Sequence, residues 1–177
     1  MDNPVFEAVR TMVAVRDYAD KPVPDDVVDR IVEAARLSAS SMNRQPWHFV
    51  VVKDRDRLQE IAPLSKTGPY MSGAALAVVV AVEKDSRFGL SDASRAIQSM
   101  MLTAWGEGVG SNWVGFGGMT EIARVVGIPD VYDVVAVVPF GYPSRPAGRG
   151  RKERKPVGDV ASSETFGTAW QEGRGPR

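Results

Sequence analysis

Residues 75–82 read Ala-Leu-Ala-Val-Val-Val-Ala-Val, with no polar side chain among them. A strand with one wet face alternates apolar and polar residues, whereas an unbroken valine-rich run marks a strand covered on both sides. The run is far shorter than the ~18–20 residues that span a bilayer. It predicts a central strand inside a globular core.

Other elements are arranged around that strand. His48 to Lys53 and Asp133 to Phe140 read as strands, and Asn112 to Phe116 as strand-like. Asn3-Pro4 ahead of Val5, Phe6, Val9, Met12 and Val13 predicts a capped amphipathic helix with proline in its first turn. A second helix follows Pro22 and Pro24, from about Asp25 to Leu37, and short ones cover Arg57 to Ala62 and Thr120 to Val126. The strongest helix runs from Ser91 to Glu107, where Ala93, Ile97, Met100, Met101, Ala104 and Trp105 keep helical periodicity and Gly108 supplies the stop. Two helices precede the first strand and the alternation is uneven. The fold class is therefore α+β, a central mixed β-sheet flanked by helices, not a doubly wound Rossmann fold. A chain of 177 residues makes one domain, with residues 1–142 as its core. Beyond Gly141-Tyr142-Pro143 the composition turns to Gly, Pro and Arg without periodicity, so residues 143–177 read as an extended arm of the same domain with no core of their own.

Composition narrows the chemistry. The formal net charge is zero, which gives no global field for nucleic acid or an anionic membrane. The chain has no cysteine and one histidine. Disulfides, thiolate metal sites and cysteine nucleophiles are excluded, and a His-based metal site or Ser-His triad lacks members. Met1-Asp2-Asn3-Pro4 has neither the basic nor the apolar region of a signal peptide, so a cytoplasmic location is expected. A chain so poor in nucleophiles and ligands, if it is an enzyme, takes its chemistry from an organic cofactor.

The segment Ser38-Ala39-Ser40-Ser41-Met42-Asn43-Arg44-Gln45-Pro46-Trp47 lies between a helix and a strand. Its hydroxyls and amides must satisfy one another or a ligand. Gly106-x-Gly108-x-Gly110 and Gly115-x-Gly117-Gly118 invite a dinucleotide-binding reading, but that fingerprint opens a helix after a strand. Here the first cluster closes a helix, so a stop and tight turn is expected. Arg149, Arg151, Lys152, Arg154 and Lys155 form a basic run. Aromatics do not interleave with it, which argues against nucleic acid. His48 reads as a structural strand residue, and Asp92, Ser94 and Arg95 as residues that cap and solvate their helix.

With Pro46-Trp47 closing it, the 38–47 segment resembles the S-x-x-N-x-Q-P-W signature of the FMN-dependent nitroreductase family. The resemblance extends through Arg16-Asp17-Tyr18 with Pro22-Val23, the long helix ending in Gly108-Val109-Gly110-Ser111, Trp113-Val114-Gly115, Gly127-Ile128-Pro129, Pro139-Phe140-Gly141-Tyr142-Pro143 and the Lys152-Arg154-Pro156 tail. It implies an obligate homodimer with FMN at the subunit interface and the C-terminal arm wrapped around the partner. It also implies ping-pong hydride transfer from NAD(P)H to a small-molecule acceptor such as a nitroaromatic or quinone. Arg16, Ser40, Ser41, Asn43, Gln45, Gly115, Lys152 and Arg154 would then bind the cofactor, with no catalytic residue and no metal. Lys152 and Arg154, at i and i+2 of an extended segment, share a face, so both cations can converge on the flavin phosphate. Arg16 would favour the anionic reduced flavin.

Two segments depart from the family pattern. Many relatives place an Arg-Arg-Ser-like stretch where this chain has Met12-Val13-Ala14, and a Lys or Asn near Gly68-Pro69-Tyr70-Met71, where only Lys66 is close. The chain also has little sequence between residues 107 and 111 for a lid, which implies an open pocket. A degenerate member that binds ligand without turnover, and a deazaflavin- or other-substrate-specific relative, are the alternative readings.

Overall fold

The computed structural model describes residues 3–147 and 152–171. In chain order the elements are α1 (Pro4–Thr11), α2 (Asp25–Arg36), β1 (Trp47–Val52), α3 (Arg55–Ile61), β2 (Leu76–Glu83), α4 (Gly89–Gly106), β3 (Gly110–Ser111), α5 (Met119–Val125) and β4 (Tyr132–Gly141), with short 3-10 turns between. Their starts follow from local chemistry. The Asn3 side chain accepts from the Phe6 N–H at 3.0 Å, with Pro4 opening α1. Asp54 accepts from the Arg57 N–H at 2.8 Å and starts α3 two residues earlier than the apolar pattern suggested.

β2 is the central strand that the unbroken run predicted. Every residue from Leu76 to Val82 is buried, and alternate side chains enter different cores. Leu76, Val78, Val80 and Val82 pack with Val28, Ile31 and Ala35 of α2 and with Ala96, Ile97 and Met100 of α4. Ala77 and Val79 pack on the other face with Leu58 and Ile61 of α3, Met71, and Ile122 of α5. Each fully buried valine contributes about 1.5–3 kcal/mol, so the strand holds the two layers together.

The sheet order is β1-β2-β4-β3, and all four strands pair antiparallel. Among the described residues, the parallel component of the expected mixed sheet is a single bridge, Ala14 to Ser111. The segment Asn112 to Phe116 is likewise not a strand; only Val114 bridges Val137. Successive left-handed glycines, Gly117 at φ 76° and Gly118 at φ 71°, turn the chain away from the sheet. A Cβ on Gly118 would lie 1.9 Å from the Leu64 carbonyl oxygen, so only glycine fits that turn. Gly106 ends α4 and Gly108 takes φ 76° just beyond it, the helix stop that the sequence indicated. No helix among the described residues is long and apolar enough to cross a membrane.

Beyond β4 the chain stays near the core only briefly. Pro143 bridges Tyr18 and the Ser144 N–H donates to the Asp17 carbonyl at 3.1 Å. Residues 153–160 are then all exposed. Arg149 and Arg151 of the basic run lie outside the described residues.

Tyr18 fastens the exit of α1 to the end of the sheet. Its hydroxyl donates to the Val15 carbonyl at 2.8 Å, and its ring packs against Gly141. Burial, then the neighbouring Tyr70, pushes its phenol up from the ordinary value of 10.0, opposed by Arg16. The folded state thus holds the Tyr18 proton more tightly than the unfolded chain. This stabilisation is complete below pH 10 and is lost as pH rises above it. Tyr18→Phe is expected to cost about 1 kcal/mol at neutral pH. It should also flatten the alkaline fall in stability by about 1.4 kcal/mol per pH unit above pH 10, read by urea unfolding at successive pH values.

Candidate functional site

Of the eight sequence-predicted residues, Arg16, Lys152 and Arg154 lie toward one corner of the sheet. The Val15 N–H donates to the Ser111 carbonyl at 2.9 Å, directly after the Ala14–Ser111 bridge. Gly110 lies so close that a Cβ there would meet the Val15 side chain at 2.4 Å. This contact fixes where Arg16 leaves the core, with its side chain exposed. Arg16 and Tyr70 are both near enough to Tyr18 to shift its phenol, and the Asn112 side-chain amide donates to the Tyr70 hydroxyl. Arg16, Tyr18, Tyr70 and Asn112 therefore form one polar group at this corner.

The basic arm reaches the same corner. The Lys152 ammonium donates to the Val9 carbonyl at 2.6 Å, in the last turn of α1, where a cation complements the helix dipole. Partial burial, then the charge of Arg154, lowers the Lys152 pKa from its ordinary value. Arg154 itself donates to the Glu153 carbonyl at 2.7 Å. A cavity of about 490 Å³ between α1, Trp105 and residues 143–147 holds none of the eight predicted residues; Glu7, Arg10, Thr11 and Arg145 are on its walls.

Gly115 lies on the outer edge of β4. A Cβ there would sit 2.6 Å from Trp113 Nε1, so internal packing already requires glycine. Its N–H makes no hydrogen bond among the described residues. Lys66 packs beside Gly117, and Phe116 is exposed.

The polar loop occupies the opposite corner. Trp47, directly after the polar loop, pairs with Val82, whereas Ser111 pairs with Phe140 and Phe140 with Leu76. Leu76 to Val82 is about 20 Å of strand, and β1 and β3 lie three strand spacings apart, about 14 Å. One chain therefore separates Ser40, Ser41, Asn43 and Gln45 from Arg16, Lys152 and Arg154 by more than the width of a strand pair. The helix α4 runs between the two corners, its 18 residues spanning about 27 Å.

The loop has an unusual backbone. Met42, Asn43 and Gln45 take φ of 52°, 54° and 52°. Left-handed non-glycine residues are uncommon, and asparagine is the best suited of the three. The Gln45 N–H donates to Ser40 Oγ at 2.9 Å, and the Gln45 amide donates to Asn43 Oδ1 at 3.1 Å. The loop is pinned to α4 at two points. Ser38 Oγ donates to Ser99 Oγ at 2.8 Å. The Ser41 N–H is shared by both Asp92 carboxylate oxygens, at 3.1 and 3.2 Å.

Asp92 corrects the sequence reading. It neither caps α4 nor meets solvent: Phe88 is the N-cap residue, and Asp92 is 1% exposed. Ser94 does stay on its own helix, with Oγ donating to the Leu90 carbonyl, and the Arg95 side chain is half exposed. No local pattern signalled the burial of Asp92, because its partner Ser41 is 51 residues away in sequence. The Tyr70–Asn112 pair was hidden in the same way, because its partners meet only through tertiary structure.

The model of the Nitroreductase family matches residues 9–81 and 66–142 of this chain. A protein of Methanothermobacter thermautotrophicus, provisionally named NADH dehydrogenase/NAD(P)H nitroreductase, is 33% identical over 152 residues, covering 81% of this chain and 80% of the relative. A crystal structure from Parabacteroides distasonis under the same provisional name superposes with a TM-score of 0.85 at 26% identity, covering 92% of this chain and 99% of that one. An FMN-dependent nitroreductase of Clostridium difficile superposes with a TM-score of 0.76 at 26% identity, covering 79% and 88%.

Met42 is 73% exposed, so its side chain contributes little packing. Glycine at an ordinary surface site costs about 0.5–1 kcal/mol relative to alanine. Here it would relieve a left-handed backbone that costs about 1–2 kcal/mol. Met42→Gly is therefore expected to leave stability unchanged or raise it by up to about 1 kcal/mol, measured by denaturant unfolding. A clear loss would show that the loop is not strained.

Proposed function

The chain belongs to the nitroreductase family of NAD(P)H-dependent oxidoreductases, and we propose that it is a homodimeric flavoenzyme binding FMN between its subunits. The separation of the predicted residues is the observation that carries this reading. A polar loop at one corner and a group of cations at the other cannot enclose one ligand within a chain. Two copies related by a twofold axis can bring the loop of one against the cations of the other. The arm, residues 143–177, supports the same reading, because Val160 and Phe166 are exposed at 67% and 106% and a partner would cover them.

The donor set suits FMN. Lys152 and Arg154 offer two cations to a phosphate, Ser40, Ser41 and Asn43 offer hydroxyls and an amide to a ribityl chain or ring edge, and Gly115 offers an unpaired N–H. Arg16 would hold negative charge at the ring's edge, while Gln45 orders the loop through Asn43. Bound there, FMN supplies the hydride-accepting and electron-donating chemistry that the side chains lack. The chain's own contribution is positioning and electrostatics. NAD(P)H and an acceptor such as a nitroaromatic or quinone would take turns in one open pocket.

Met12-Val13-Ala14 supports a second reading, flavin binding without turnover. These residues follow directly on α1 and supply no charge or hydroxyl; Met12 and Val13 are half-buried and Ala14 is engaged with Ser111. The absorption spectrum of the purified protein with NADH and NADPH separates the two, since only the enzyme bleaches on adding reductant and recovers with acceptor.

If the cations hold the phosphate, Lys152→Ala with Arg154→Ala is expected to weaken FMN binding about 100-fold, two charge-assisted hydrogen bonds' worth. The oligomer and its melting temperature should be nearly unchanged. A variant that still purifies with stoichiometric FMN would sink the assignment.

A further inference from the structure

Among the described residues, the carboxylate of Asp92 is the one charged group buried from solvent, at 1% exposure. Burying a carboxylate is costly unless its oxygens are well partnered. Its partners are the Ser41 N–H, at 3.1 and 3.2 Å, and the Arg95 guanidinium, at 2.7 Å on the next turn of α4. Arg95 lies on the same helix and could neutralise Asp92 in any loop conformation. The Ser41 N–H lies 51 positions away in sequence and belongs to the polar loop.

Its place in the loop matters. Ser41 follows Ser40 in an extended conformation, φ −126° and ψ 158°, and precedes Met42 and Asn43 in the left-handed region. The chain thus reverses its local hand directly after the atom that Asp92 holds. The bonds within the loop, Gln45 to Ser40 and Gln45 to Asn43, tie its members to one another but not to the core. The Ser41 hydroxyl makes no hydrogen bond among the described residues, so the anchor restrains the backbone and leaves the side chain available.

We propose that Asp92 is a positioning residue of the cofactor site, fixing the Ser40–Gln45 loop from the first turns of α4 in the conformation that meets the flavin. This rests on the FMN reading above for the ligand, but not for the anchor. Both carboxylate oxygens accept from Ser41, whereas an asparagine would turn an NH₂ donor toward one side of that N–H. The strained turn would then relax, and the loop would present Ser41 and Asn43 only part of the time.

Two readouts on the whole protein test this. In flavin-free wild type, NMR should find the Ser41 amide protected from hydrogen exchange. In Asp92→Asn it should exchange at least tenfold faster, with the melting transition still cooperative. FMN affinity, followed by flavin fluorescence quenching, should fall at least tenfold in the same variant. Adding Met42→Gly to Asp92→Asn should restore part of that affinity, because glycine removes the left-handed strain that the anchor opposes; with both variants assayed well below their melting transitions, a role in stability alone predicts no change in affinity in either. The double variant also serves if Asp92→Asn folds poorly. An unprotected Ser41 amide in wild type, or unchanged FMN affinity in Asp92→Asn with accelerated exchange, overturns the proposal. If wild type takes up no FMN, the flavin reading fails by itself, and the exchange rates still decide whether Asp92 anchors the loop.

Discussion

The structure depends on a strand with no wet face. β2 offers alternate side chains to two apolar layers, and nothing in it can tolerate water. Helices must therefore cover the sheet above and below, α2 and α4 on one side, α3 and α5 on the other. With both faces closed, polar and unsatisfied backbone is confined to the edges and corners, where the connections run. The position of the functional residues follows from that confinement.

Within this frame α4 acts as a strut. Its first turns carry the buried Asp92 beneath the polar loop, and its last turn carries Trp105, whose Nε1–H donates to Thr11 Oγ1 at 2.9 Å at the end of α1. Between them Ala96, Ile97, Met100 and Ala104 are fully buried against the sheet. One packed helix thus fixes both corners.

Much of this was legible in the sequence because it rests on periodicity. The run of residues 75–82 identified β2, the spacing from Ala93 to Trp105 identified α4, and the hydroxyl- and amide-rich segment before Trp47 identified the loop. Features that depend on chain neighbours far apart in sequence were not legible. The parallel pairing shrank to one bridge, and residues 112–116 left the sheet because Gly117 and Gly118 demanded a turn that their apolar neighbours concealed. Asp92 looked like any acidic residue in a first helical turn. Its environment is set by Ser41, and no local pattern announces that contact. The separation of the polar loop from Arg16, Lys152 and Arg154 follows from strand order, which the sequence left open.

That split has a genetic consequence. In the proposed twofold pair each site would take its loop from one chain and its cations from the other. A chain damaged in the loop and a chain damaged in the arm therefore lose different halves. When the two are mixed, one site of the heterodimer inherits both lesions and the other inherits neither. Two inactive proteins would in that way regenerate one sound site between them, at half the density of the parent.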